Sequence, residues 1–163
     1  SSSRIEPLIT QGRMVQANAL LGFPYSVSGV IVHGFRRGSE LLKIPTANLE
    51  VDYEYVLPEI GVYAGLVMVE NNLYPAMINV GKNPTFNNQT MTVEAHILDF
   101  DRDIYDRKAR FFFLEKTRGE IKFDHFNQLK DQLHQDIQAT RQVLKSHGEM
   151  IDAARNIWLK VSL

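Results

Sequence analysis

Two oxygen-bearing side chains stand two residues apart behind a proline in Ile44-Pro45-Thr46-Ala47-Asn48. Proline fixes its own φ and drives the residue before it towards extended backbone. In extended backbone, residues i and i+2 project to one side, so the Thr46 hydroxyl and the Asn48 carboxamide can meet one ligand. Just upstream, Gly34-Phe35-Arg36-Arg37-Gly38 combines backbone freedom with positive charge. A basic glycine loop leading to two neutral oxygen donors suits a phosphate and a hard cation. A further candidate is Glu94, in the alternating run Met91–Phe100, where Thr92, Glu94 and His96 share the polar side. A carboxylate there can take a proton from a substrate hydroxyl. Each feature also has an ordinary reading. Thr46 and Asn48 fit a plain turn, Glu94 a solvated sheet face, His96 a hydrogen-bonded structural histidine, and Arg36 and Arg37 solvated cations.

The elements that must position these groups read mainly as strands. Ser3–Leu21 is a helical lead-in interrupted at Gly12 and stopped by Gly22-Phe23-Pro24. Tyr25–His33 is a strand with Val27, Gly29 and Ile31 on one side, and Gly29 marks a bulge or a close approach. Leu49–Ile60 reads as irregular. Gly61–Glu70 and Leu73–Val80 pair across the Asn71-Asn72 hairpin signal, and Gly81–Asn88 is a turn-rich loop. After Met91–Phe100 come a charged turn, Asp101–Asp106, and the strand Lys108–Leu114, whose Phe111–Phe113 run implies burial on both faces. Lys116–Phe123 reads as a loop. Asp124–Ser146 is a long amphipathic helix with Asp124 at its N-cap, stopped by His147-Gly148; Glu149–Leu163 is a shorter amphipathic tail. Hairpin-joined strands followed by a terminal helix predict a mainly β fold with α, an antiparallel sheet or small barrel plus a helix.

Composition narrows the chemistry. The chain has 163 residues, 44% of them hydrophobic, enough for one domain with a real core. Eighteen basic against nineteen acidic residues leave a net charge of −1, so there is no broad positive field to hold nucleic acid. The absence of cysteine excludes disulfides and thiolate metal sites and fits a reducing cytoplasm. No apolar run is long enough for a membrane helix. The start shows no signal-peptide core and no initiator methionine, which suggests a processed or excised chain. Neither phosphate-binding glycine fingerprint occurs, nor does H-E-x-x-H, and Gly38-Ser39-Glu40 lacks the closing glycine of a nucleophile elbow. Asp99, Asp101 and Asp103 do not follow calcium-loop spacing.

Taken in order, Leu21-Gly22-Phe23-Pro24-Tyr25, Val32-His33-Gly34, Arg37-Gly38, Pro45-Thr46-Ala47-Asn48, Gly61-Val62-Tyr63 and Asn79–Thr85 resemble the riboflavin kinase (flavokinase) family. So do Val93–Phe100, Asp103-Ile104-Tyr105, Arg118-Gly119-Glu120, Lys122-Phe123, and the helix with Gln132 and Asp136-Ile137. The details are most like the C-terminal kinase module of bacterial bifunctional riboflavin kinase/FAD synthetase. Ser2-Ser3-Arg4-Ile5 is similar to the run that closes the adenylyltransferase module of those proteins.

The resemblance implies a small antiparallel Greek-key β-barrel, riboflavin kinase-like, with a long C-terminal helix. It divides the chain into a helical lead-in or inter-module remnant, 1–21, and a riboflavin kinase domain, 22–163. The implied activity is transfer of the ATP γ-phosphoryl group to the ribityl 5′-hydroxyl of riboflavin, giving FMN and ADP, without FAD synthetase activity from this chain alone. Glu94 is the implied catalytic base. Thr46 and Asn48 are implied ligands of Mg²⁺ or another divalent ion. His33, Gly34, Arg37, Gly38, Thr46, Asn83, Pro84, His96, Leu98 and Tyr105 are implied to meet ATP and its phosphates, and Arg118, Glu120, Phe123 and Asp124 the flavin. The implied context is cytoplasmic and monomeric as an isolated module, natively fused to an N-terminal FAD synthetase module, with no nucleic-acid or membrane partner. Three departures stand out: Lys43 and Asp106 where glycine is common, and Gly119 where proline or aspartate is frequent. The alternatives are a noncatalytic flavin- or nucleotide-binding regulatory barrel, which the joint presence of Thr46, Asn48 and Glu94 disfavours, and an oligonucleotide-binding barrel, which the charge balance disfavours.

Overall fold

The computed structural model describes residues 2–33, 45–84 and 89–159. Two helices, α1 (Ser2–Thr10) and α2 (Met14–Leu21), lead into β1 (Tyr25–Val32), β2 (Ala47–Val51), β3 (Gly61–Val69), β4 (Asn72–Pro84), β5 (Gln89–Ile97) and β6 (Lys108–Arg118). Two more helices follow, α3 (Phe126–Ser146) and α4 (Gly148–Trp158). The strands close into an antiparallel barrel in the order β1-β2-β5-β4-β3-β6. Strands β3, β4 and β5 run as consecutive hairpins and β6 returns beside β3, which is a Greek key.

Period-two alternation decides what fills the barrel. Val27 and Ile31 of β1, Tyr63 and Val67 of β3, Ile78 and Val80 of β4, Val93 and Ala95 of β5, and Phe111 and Phe113 of β6 point inward and are buried. The residues between them point out. On β3 and β6 this outer set is again apolar: Leu66, Phe112 and Leu114 are covered by Ala154, Ile151 and Trp158 of α4 and by Val143 and Leu144 of α3. The phenylalanine run therefore serves two cores, as its lack of alternation predicts. Gly29 is a close approach rather than a bulge. A Cβ there would stand 2.0 Å from the Glu50 carbonyl oxygen of β2.

Helix α2 packs on the β1–β6 seam, and α1 packs on α2. Asn18 of α2 is buried, donates to the Phe113 carbonyl at 2.8 Å and accepts from the Tyr25 N–H at 2.8 Å, so one carboxamide ties the helix to both strands. Gly22 ends α2 in the left-handed conformation, φ +82°.

Four of the boundaries that differ from the sequence expectation have a tertiary reason. Leu49–Val51, the start of the stretch read as irregular, belongs with Ala47 and Asn48 to a strand, because β1 and β5 pair with it from either side. Strand β4 continues through Gly81–Pro84, read as loop, because Gln89–Thr92 supplies partners there. Strand β6 runs to Arg118 rather than Leu114; register shifts between β3 and β6 keep Lys116 and Arg118 paired with Tyr63 and Val62. Asp124 is not the N-cap of α3. His125 holds that position without a side-chain cap bond, while the Asp124 N–H donates to Gln128 Oε1 at 3.4 Å.

Candidate active site

Strand register assembles the site. Asn48 of β2 lies opposite Glu94 of β5, Glu94 opposite Asn79 of β4, Asn79 opposite Val62 of β3, and Val62 opposite Arg118 of β6. Directly paired residues share a sheet face, so one row of side chains crosses five strands on the outer wall. Above it opens a cavity of about 240 Å³, whose lining adds Thr92, Lys82, Asn83, Glu120 and Ile121 to that row. A second cavity, about 270 Å³, lies at the barrel end, lined by Pro45, Thr46, Ala95, Ile97, Asp103 and Tyr105 among others. The Pro45–Asn48 segment separates the two, with Thr46 on the barrel-end side and Asn48 on the wall side.

The wall cavity holds a single strand-borne carboxylate, Glu94. Burial pushes its pKa above the ordinary glutamate value, and no ion pair among the described residues offsets that burial. Asn48 beside it buries its Nδ2 without a hydrogen-bond partner. A buried polar atom left so is unfavourable by about 1–3 kcal/mol. Rotating the amide half a turn presents its carbonyl instead, so the position suits either an anionic oxygen or a hard cation. Thr46 is 9% exposed, with its hydroxyl one residue from β2. Among the described residues no cluster of three His, Asp or Glu side chains forms a metal cage. A Mg²⁺ ion that takes most of its ligands from water and nucleotide phosphates needs none, so the Thr46–Asn48 pair fits it.

His96 Nδ1 donates to the Pro45 carbonyl at 3.0 Å, which fixes the turn against β5 and leaves Nε2 as an acceptor. Burial lowers its pKa, partly offset by that bond and by the charge of Asp136. Arg118 is held in a fork: Nε and Nη2 donate to Asp136 Oδ1 and Oδ2 at 2.8 and 2.7 Å, and Nη1 donates to the Gly119 carbonyl. Gln132 Nε2 donates to the same carboxylate at 3.0 Å.

The structure thus brings Asn48, Asn83, Glu94, Arg118 and Glu120 into one cavity and Thr46 and Tyr105 into the other. His33 stacks on Tyr105 with ring centroids 3.5 Å apart. Leu98 is buried, its N–H bonded to the Pro75 carbonyl, and it lines neither cavity. Phe123 is half-buried and Asp124 exposed, both outside the cavity lining. Pro84 ends β4. Gly34, Arg37, Gly38 and Lys43 lie outside the described residues. Asp106 explains why glycine is common at its position, since it takes φ +68°.

Sequence reasoning attached no role to Asp136, Asn79 or Ile121. The signal for Asp136 was present: it shares the helical stripe of Leu129, Leu133 and Thr140, and a carboxylate in that stripe must be buried and partnered. Asn79 had no signal until β4 and β5 were in register.

The family model for riboflavin kinase matches residues 21–144. The chain belongs to the riboflavin kinase family. A bifunctional riboflavin kinase/FMN adenylyltransferase of Listeria monocytogenes is 39% identical over 142 residues, covering 86% of this chain and 45% of that protein. The chain therefore spans less than half the length of that relative. Among solved structures, a Streptococcus pneumoniae chain described as a macrolide-efflux protein superimposes with a TM-score of 0.82 at 39% identity, over 86% of this chain and 46% of that one. Riboflavin kinase of Trypanosoma brucei superimposes with a TM-score of 0.55 at 27% identity, over 75% and 78% of the two chains. Among the described residues, no helix is long and apolar enough to cross a membrane.

Proposed function

We propose that this chain moves the γ-phosphoryl group of ATP to the ribityl 5′-hydroxyl of riboflavin, giving FMN and ADP. The observation that carries the proposal is the pairing of Asn48 with Glu94 at the floor of one cavity, in a chain of the riboflavin kinase family. A primary hydroxyl is a weak acid. Glu94, made more basic by burial, accepts its proton as the O5′–phosphorus bond forms and the bond from phosphorus to the departing ADP oxygen breaks. Such a base contributes ~10²–10⁴-fold, and most of the remaining acceleration in phosphoryl transfer comes from positioning and charge neutralisation.

Thr46 and Asn48 stand between the two cavities, so the nucleotide enters from the barrel end, beside Tyr105, and the acceptor from the wall. These two side chains would hold Mg²⁺, which would supply charge neutralisation at the phosphates. His33, Gly34, Arg37, Gly38, Pro84, His96 and Leu98 are assigned to the nucleotide, and Asn83 to its terminal phosphates where they meet the acceptor in the wall cavity it lines. Arg118, Glu120, Phe123 and Asp124 border the flavin. The kinase unit is residues 22–163, acting as a cytoplasmic monomer when isolated and joined natively to an FAD synthetase module.

The test is FMN formation from riboflavin, ATP and Mg²⁺, resolved by chromatography. Riboflavin bound by folded protein without FMN would place the chain among noncatalytic flavin-binding barrels. Thr46→Val and Asn48→Ala are expected to weaken Mg²⁺-nucleotide binding more than riboflavin binding. Equal loss of both ligands counts against the assignment.

A further inference from the structure

The wall cavity contains hydrogen-bonding groups that the phosphoryl-transfer chemistry does not use. Asn79 stands opposite Glu94 on the side away from Asn48, and Thr92 stands opposite Gly81 one step along the same two strands. The four positions form a square on the outer face, with Asn79 and Glu94 on one edge and Gly81 and Thr92 on the other. A Cβ at Gly81 would lie 3.4 Å from Thr92 Oγ1 and 3.9 Å from Asn79 Oδ1, so the missing side chain leaves a slot with both polar groups on its rim. Asn79 is exposed and Thr92 half-buried; both line the cavity, and among the described residues neither side chain makes a hydrogen bond, so both are open to a molecule in it.

We infer that Asn79 and Thr92 bind the secondary hydroxyls of the acceptor's polyol chain across the Gly81 slot, and so choose an acceptor that carries them. This rests on the kinase reading of the same site. Each secondary hydroxyl is both donor and acceptor, and its complement is a neutral group that is also both, such as a carboxamide or a hydroxyl. The two cationic side chains of the cavity do not fill that role: Arg118 is held by Asp136, and Lys82 offers only donors. The row also has the right order. Asn48 lies on the phosphoryl side of Glu94 and Asn79 on the other, so a chain whose terminal hydroxyl meets Glu94 runs over Asn79 towards apolar Val62. Asn79 and Thr92 act as substrate-binding groups, while Glu94 remains the base.

The discriminating experiment compares riboflavin with a flavin bearing a plain 5-hydroxypentyl chain. That analogue keeps the hydroxyl that is phosphorylated and lacks the three secondary ones. Asn79→Ala and Thr92→Val should each raise the riboflavin KM about 5-fold, the effect of losing one neutral hydrogen bond. With the analogue, both variants should match the parent protein, and the ATP KM should not change with either acceptor. Thermal melting checks that the variants are folded. An equal loss with both acceptors, or none with riboflavin, overturns the inference. If the parent protein makes no FMN, the kinase reading fails by itself. The same comparison is then made by quenching of flavin fluorescence, where an Asn79 effect confined to riboflavin supports the polyol site and no binding of either flavin overturns it.

Discussion

At the scale of single residues, Glu94 shows stability set against chemistry. Its carboxyl is largely buried and makes no ion pair among the described residues, so it holds its proton more tightly folded than unfolded. A group shifted this way contributes stability below its unfolded pKa and loses that contribution as pH rises through the folded pKa. Glu94→Gln should therefore melt higher than the parent at pH 7–8, with the difference shrinking as pH falls through the folded pKa. The same variant should keep riboflavin binding and lose turnover by at least ~10²-fold. The acid limb of kcat in the parent should lie above the ordinary glutamate value. A Glu94→Gln variant that melts lower at neutral pH, or turns over normally, would exclude this role. Asn48 carries a similar burden through its unpartnered Nδ2.

At the scale of elements, α3 is fastened to the site by charge. Asp136 is 2% exposed and its carboxylate accepts three hydrogen bonds, two from Arg118 and one from Gln132. Removing one partner of a buried pair strands the other, at about 3 kcal/mol. Asp136→Ala should lower the melting temperature accordingly, roughly 6–12 °C for a domain of this size. Asp136→Asn keeps the volume and loses the charge. It should raise the riboflavin KM through a loosened Arg118 and lower the His96 pKa further, since Asp136 now raises it. Steady-state kinetics and histidine NMR titration read these separately. An unchanged KM in a folded Asp136→Asn variant would mean that α3 only covers the barrel.

At the scale of the whole molecule, closure of the barrel creates the site, because the row from Asn48 to Arg118 exists only while β2 is held between β1 and β5. Gly29 guards that arrangement. With the Glu50 carbonyl 2.0 Å from its would-be Cβ, Gly29→Ala must push β2 away from β1. The expected result is a loss of more than about 2 kcal/mol in denaturant unfolding, together with lost turnover at a position that touches no substrate. Wild-type stability would mean that the strands separate without strain.

Local patterns in the residue order account for much of this. The alternation of Tyr25–Val32 and of Met91–Ile97 set which faces are buried, Gly12 and Gly22 punctuated the lead-in helices, and Phe111–Phe113 announced two cores. Those signals are local, since backbone freedom and side-chain periodicity act over a few residues. Thr46, Asn48 and Glu94 were legible as candidates because their types and motif context are local too. Tertiary structure alone decided that Ala47–Val51 is a strand, that Arg118 ends one rather than sitting in a loop, and that Asn79 faces Glu94. Each depends on which strands pair and in what register. A shift of one residue reverses every side chain, and only a closed sheet settles that choice.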